Sequence, residues 1–149
     1  MSIVIRRLAA TDRESWEKLW QGYLVFYGHP LPAEQTELTW NRLLNSEAGL
    51  KALVAEQGGQ LVGMAHYWWT PSTWIKNKDL FLEDLFVAES SRGQGVAKAL
   101  ISELVQICTE AGGIKVHWQT HKDNQTARAL YNKLGQVSEF VTYEIKLEA

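Results

Sequence analysis

The chain has 149 residues, with 15 Lys+Arg against 17 Asp+Glu, 46% hydrophobic and 21% charged. That length predicts one domain spanning residues 1–149 with a core that needs no staples, and the composition argues against disorder. The near balance of charge argues against a dedicated nucleic-acid binder, and a single cysteine, Cys108, leaves neither an intrachain disulfide nor a four-Cys zinc site. Ile3 to Leu8 reads as a strand. Thr11 or Asp12 caps a helix whose apolar face is Trp16, Leu19, Trp20, Tyr23, Leu24 and Tyr27, and Gly28 with Pro30 ends it. A second helix is predicted from Ala33 to Leu44. Leu53–Glu56, Gly58-Gly59 and Leu61–Ala65 form a hairpin, with Tyr67–Thr70 continuing its second strand until Pro71. Leu80 to Val87 is a buried strand interrupted by Glu83-Asp84, and Gln94 to Glu110 is a long helix stopped by Gly112-Gly113.

Ile114, Val116 and Trp118 alternate with polar residues as a strand does, Asn124 to Leu134 is a short helix closed by Gly135, and Phe140 to Leu147 is expected to be a last strand. The alternation predicts a mixed α/β or α+β sheet. No apolar run reaches the roughly 18 residues of a membrane span, and the start lacks the apolar stretch of a signal peptide, so a cytoplasmic protein is expected, with no membrane partner. Most of the seven tryptophans are read as core, with a ring-lined pocket as the alternative.

The segment richest in chemistry joins the buried strand to the long helix: Arg92-Gly93-Gln94-Gly95-Val96-Ala97. A helix start offers unpartnered N–H groups and the positive end of the dipole, and glycines admit close approach of an anion. A P-loop requires Lys-Ser/Thr after the last Gly, where Val96-Ala97 stands, and a dinucleotide fingerprint requires Gly or Ala where Lys98 stands. On spacing alone, a glycine-rich connection with no ligand stays open.

Arg92-Gly93-Gln94-Gly95-Val96-Ala97 resembles the pyrophosphate loop of the GCN5-related N-acetyltransferases, and Asn124 to Gly135 resembles their second signature, Asn-x-x-Ala-x-x-x-Tyr-x-Lys-x-Gly. Phe81 to Val87 is similar to the corresponding strand of the spermidine/spermine and thialysine acetyltransferases, and Val116 to Asn124 to the yeast enzymes that modify histones, polyamines and D-amino acids. The resemblance implies a sheet of about six to seven strands with splayed central strands, about four helices, and a homodimer. It implies acetyl-CoA as co-substrate, its pyrophosphate on the amides from Arg92 through Gly93, Gln94, Gly95 and Val96 to Ala97. Its pantetheine would pair with Leu85, Phe86 and Val87, with Asn124, Ala127 and Lys133 on the cofactor side. Tyr131 would be the acid that protonates the departing thiolate. No metal is implied; His117 and His121 lack helical ligand spacing, and Cys108 reads as core rather than nucleophile, so direct transfer in a ternary complex is expected.

Glu83 and Asp84 are two carboxylates inside an apolar run, which is costly unless they are partnered or used. Adjacent strand residues face opposite ways, so one reaches the acceptor unless a bulge re-aims the other. Glu83 is read as base or water relay and Asp84 as the group that orients the amine, with a structural ion pair as the alternative. Tyr27, Glu34, Trp69 and Trp74, beside Trp68 and His29, are candidate walls of an acceptor pocket, where rings suit a cationic amine; hairpin packing or a dimer contact is the other reading. The expected reaction is acetylation of a primary amine such as a polyamine, diamine or amino acid. A basic peptide or histone tail as acceptor and a non-enzymatic acyl-CoA-binding module are the alternatives.

Overall fold

The computed structural model describes residues 2–148, which form two compact units, one through Gln119 and one from Thr120 onward. The first unit holds β1 (Ile3–Arg7), α1 (Arg13–Tyr27), α2 (Ala33–Leu44), β2 (Leu50–Gln57), β3 (Gln60–Thr70), β4 (Asp79–Val87), α3 (Val96–Glu110) and β5 (Val116–Trp118). The five strands run in the order β1-β2-β3-β4-β5, antiparallel up to β4 and parallel between β4 and β5. This is the expected mixed α/β sheet with fewer strands than six to seven. Gly58 (φ 59°) and Gly59 (φ 78°) make the tight turn between β2 and β3 that two left-handed residues permit.

The aromatic face of α1 builds the core on one side of the sheet: Trp16, Leu19, Trp20 and Leu24 pack with Trp40 and Leu43 of α2 and Ala52, Val54 and Met64 beneath. Trp16 is fully buried, stacked on Trp20 at 5.9 Å and tilted against Trp40 at 5.2 Å; losing such a ring costs about 3–5 kcal/mol. Three tryptophans are therefore core, while Trp68 and Trp74 are exposed. On the other side, α3 presents Val96, Leu100, Ile101, Leu104 and Cys108 inward. Cys108 is buried and its thiol donates to the Lys115 carbonyl at 3.5 Å.

Helix α3 begins at Val96 rather than Gln94, because Gly93 (φ 76°) and Gly95 (φ 85°) both take left-handed backbone that no helix contains. Strand β5 is also shorter than its alternation suggests. The Ile114 and Lys115 amides bind the buried Asp79 carboxylate, at 3.0 and 3.1 Å, and the ladder starts only at Val116.

The second unit holds α4 (Gln125–Leu134), capped by the Asn124 carboxamide accepting from the Ala127 amide at 3.2 Å. Gly135 follows in extended backbone (φ −151°), not as a left-handed cap. The strand expected over Phe140 to Leu147 is absent: residues 136–148 carry no regular structure, and Val141, Tyr143, Ile145 and Leu147 are exposed. Alternation supplies one face of a strand; a strand also requires a backbone ladder, which alternation alone does not specify.

Candidate active site

The glycine loop is fixed from below by a close approach of backbone. A Cβ on Gly63 of β3 would lie 2.8 Å from Val96 Cγ1, so glycine there lets the first residue of α3 sit directly on the sheet. The first-turn amides of α3 then point out of the loop without intrahelical partners, a ready anion site. The Arg92 side chain is not free to wander. Its Nε donates to the Val87 carbonyl at 3.0 Å, and its guanidinium lies over the Phe26 and Phe86 rings at 5.4 and 5.5 Å. Arg92 thus occupies the carbonyl of Val87, one of the three residues expected to pair with pantetheine. A groove of about 790 Å³ runs along this side, lined by Lys18, Phe26, Gln60, Phe86, Glu89 and Arg92 among others, and by neither Glu83 nor Asp84.

Strand β4 changes character at its middle. Leu80, Phe81 and Leu82 pair with Val116, His117 and Trp118 of β5, and beyond Leu82 that ladder stops. On the β3 side His66 opposes Asp84 but the next residue, Tyr67, opposes Leu82, so Glu83 is the extra residue of a β-bulge. The bulge brings both carboxylates to one face. His66 and Trp68, two apart on β3, share a face; the His66 Nδ1 meets Asp84 Oδ2 at 2.9 Å and the Trp68 indole N–H donates to Glu83 Oε2 at 2.9 Å. The conditional expectation from sequence, one carboxylate unless a bulge intervenes, resolves in favour of the bulge.

The same face carries the tyrosines of α1. Burial and the nearby Asp84 carboxylate push the Tyr23 pKa far above the usual phenol range. Tyr27, 4.8 Å from Tyr23 by ring centroids, is pushed up for the same two reasons. Behind Asp84, the fully buried His66 accepts at Nε2 from the Trp16 indole N–H at 3.0 Å. Two carboxylates, the tyrosine hydroxyls and the Trp68 ring thus converge where β4 loses its parallel partner, a surface suited to a cation with an apolar stem.

Of the residues singled out from sequence, Glu83, Asp84 and Tyr27 come together here. Glu34 lies exposed in the first turn of α2, and Trp74 lies 88% exposed in the segment between β3 and β4. Trp69 leaves β3 on the face opposite Trp68 and does not join the carboxylates; Trp68 does. In the second unit Asn124 is occupied as the α4 cap, with Ala127, Tyr131 and Lys133 along that helix. Sequence reasoning missed Tyr23, Trp16 and His66. The helical spacing filed Tyr23 and Trp16 under core, and a lone histidine within the apolar Gly63-Met64-Ala65-His66-Tyr67 run was the signal that a buried partner existed.

Residues 14–136 match the model of the Acetyltransferase (GNAT) family. The D-amino-acid N-acetyltransferase HPA3 of Saccharomyces cerevisiae is 30% identical over 144 residues, 95% of this chain and 89% of that protein. The thialysine N-epsilon-acetyltransferase of Bos taurus is 32% identical over 79 residues, 53% of this chain and 46% of the relative. Among solved structures, AAC(6')-Iy in complex with the bisubstrate analog CoA-S-monomethyl-acetylneamine has a TM-score of 0.79 at 25% identity, covering 99% of each chain. No helix of the described residues is long and apolar enough to cross a membrane. The chain belongs to the acetyltransferase (GNAT) family and is an N-acetyltransferase.

Proposed function

We propose that the chain transfers acetyl from acetyl-CoA to a small primary amine, a polyamine, diamine or amino acid, by direct attack in a ternary complex. The observation that carries this reading is the bulge at Glu83, which sets two carboxylates and three aromatic side chains on one face where β4 has lost its β5 partner. The amides from Arg92 to Ala97 hold the pyrophosphate, and the pantetheine lies along Leu85, Phe86 and Val87 as an added strand. Both relatives named above act, by their names, on small amines, in keeping with this acceptor class.

An alkylammonium has a pKa of about 10, so the acceptor arrives charged. Asp84 binds the ammonium, and Glu83 accepts one proton from it and passes that proton to water. The free amine attacks the thioester carbonyl, the C–N bond forms, and the tetrahedral intermediate collapses with cleavage of C–S. Tyr131 gives its proton to the departing thiolate, which leaves as coenzyme A, and the second proton shed by the acylated nitrogen passes through water to restore the Tyr131 phenol. The test is thiol release with acetyl-CoA and a panel of diamines, polyamines, lysine, thialysine, D-amino acids and a basic peptide. Turnover of a free amine, with kcat lowered about 10²–10⁴-fold in Tyr131→Phe, is the expected result; preference for the peptide over every free amine, or no turnover at all, overturns it.

A further inference from the structure

The hydrogen bonds behind the carboxylate pair divide the work between Glu83 and Asp84. An indole N–H is a donor only, so the Trp16 contact at 3.0 Å makes His66 Nε2 an acceptor. The one ring proton therefore sits on Nδ1, and Nδ1 donates to Asp84 Oδ2 at 2.9 Å. Trp16 and His66 are both fully exluded from solvent, so no water competes for either bond. The Tyr23 hydroxyl lies on the same face, near Asp84. Asp84 is thus gripped from the core by an imidazole of fixed tautomer, while Glu83 has one indole donor and stands exposed.

Resting on the acetyltransferase reading above, we propose that His66 is a positioning residue: held as its Nδ1–H tautomer by Trp16, it aims the Asp84 carboxylate at the acceptor's ammonium. The same geometry closes the inward route for a proton. A proton arriving at Nε2 would face the Trp16 N–H, donor against donor, so the series Asp84–His66–Trp16 orients charge and does not conduct it. The ammonium proton leaves through Glu83, the carboxylate that water reaches.

The test compares His66→Asn, whose amide N–H can stand where Nδ1–H stood, with His66→Leu, which removes the donor. Coenzyme A binding by calorimetry verifies that each variant is folded. The KM for the amine should rise about 10–100-fold in His66→Leu, the effect of one charge-assisted hydrogen bond. It should return to within about fivefold of the unaltered chain in His66→Asn, with the KM for acetyl-CoA unchanged in both. Equal effects in the two variants, or parallel loss of both KM values, overturn the proposal and reduce His66 to packing. A long-range ¹⁵N–¹H spectrum of the unaltered protein reads the tautomer without any turnover and needs no variant. A protonated Nε2 overturns the proposal even if the enzyme is active. Failure to acetylate any amine, with the Nδ1–H signal present, instead sinks the functional reading, and the acceptor role of His66 falls with it.

Discussion

Strand β4 carries carboxylates at two places, and the chain treats them in opposite ways. Asp79, at its start, is 5% exposed and accepts two backbone amides, Ile114 and Lys115, so it joins the end of one connection to the beginning of β5. Glu83 and Asp84, four and five residues later, take side-chain partners, Trp68 for Glu83 and His66 for Asp84, and sit beyond the end of the ladder with β5. Burial of a charge is therefore a poor guide to use. What separates the two places is the kind of partner: backbone donors consume a carboxylate to build the fold, whereas side-chain donors can hold it and leave lone pairs for a ligand.

Four substitutions sharpen or break this contrast. Glu83→Gln should cut kcat about 10²–10⁴-fold while leaving the melting temperature within a degree or two, because Glu83 is exposed and removes nothing from the core; steady-state kinetics beside a thermal melt decide it. Asp79→Ala should do the reverse. Two part-buried amides lose their charged acceptor, and chemical denaturation should show a loss of roughly 2–5 kcal/mol with kcat/KM of the folded enzyme within about threefold. Were Asp79→Ala to abolish activity in a stable protein, the contrast would be lost.

Asp12 offers a third carboxylate as control. It accepts from Arg6 at 2.8 and 2.9 Å and from the Ala9 amide at 2.7 Å, and the Arg6 guanidinium holds its pKa below the usual carboxylate value. Because the folded pKa is depressed, its contribution is complete above the unfolded value of about 3.9 and is lost as pH falls through the lower, folded value. Asp12→Asn should cost about 1.5–3 kcal/mol at pH 7 and progressively less in acid, read from urea midpoints across pH. The smallest effect is expected from Trp68→Phe, which removes the lone donor to Glu83 at an exposed site. A rise in amine KM of about 2–5-fold, near 0.5–1 kcal/mol, is the expected outcome of an amine titration.

The helices and the hairpin were legible because their signals are local: α2 spans Ala33–Leu44 as its pattern indicates, α1 ends at Gly28 in left-handed backbone (φ 60°), and both hairpin glycines have positive φ. The misses depend on partners distant in sequence. Ile114 alternates correctly yet is held out of β5 by Asp79, 35 residues earlier. Phe140 to Leu147 alternates and yet forms no strand, because alternation within a segment does not specify a ladder. At the site, the identity of the carboxylates was readable and the bulge that unites them was not, since a bulge is a property of the register between β3 and β4. His66 and Trp16 stand 50 residues apart, and neither position shows its need for the other until the strand and the helix are packed.

The placement of Cys108 has a practical corollary for every experiment above. The residue is 3% exposed, burial pushes its pKa up, and it is the chain's one cysteine. Thiolate is the reactive species, so the native enzyme should stay silent toward a chromogenic disulfide reagent, while the coenzyme A that the proposed reaction would release reacts at once. The colour that reports turnover then carries little background from the catalyst. Under denaturant the same reagent becomes a stopwatch for opening of the α3 face.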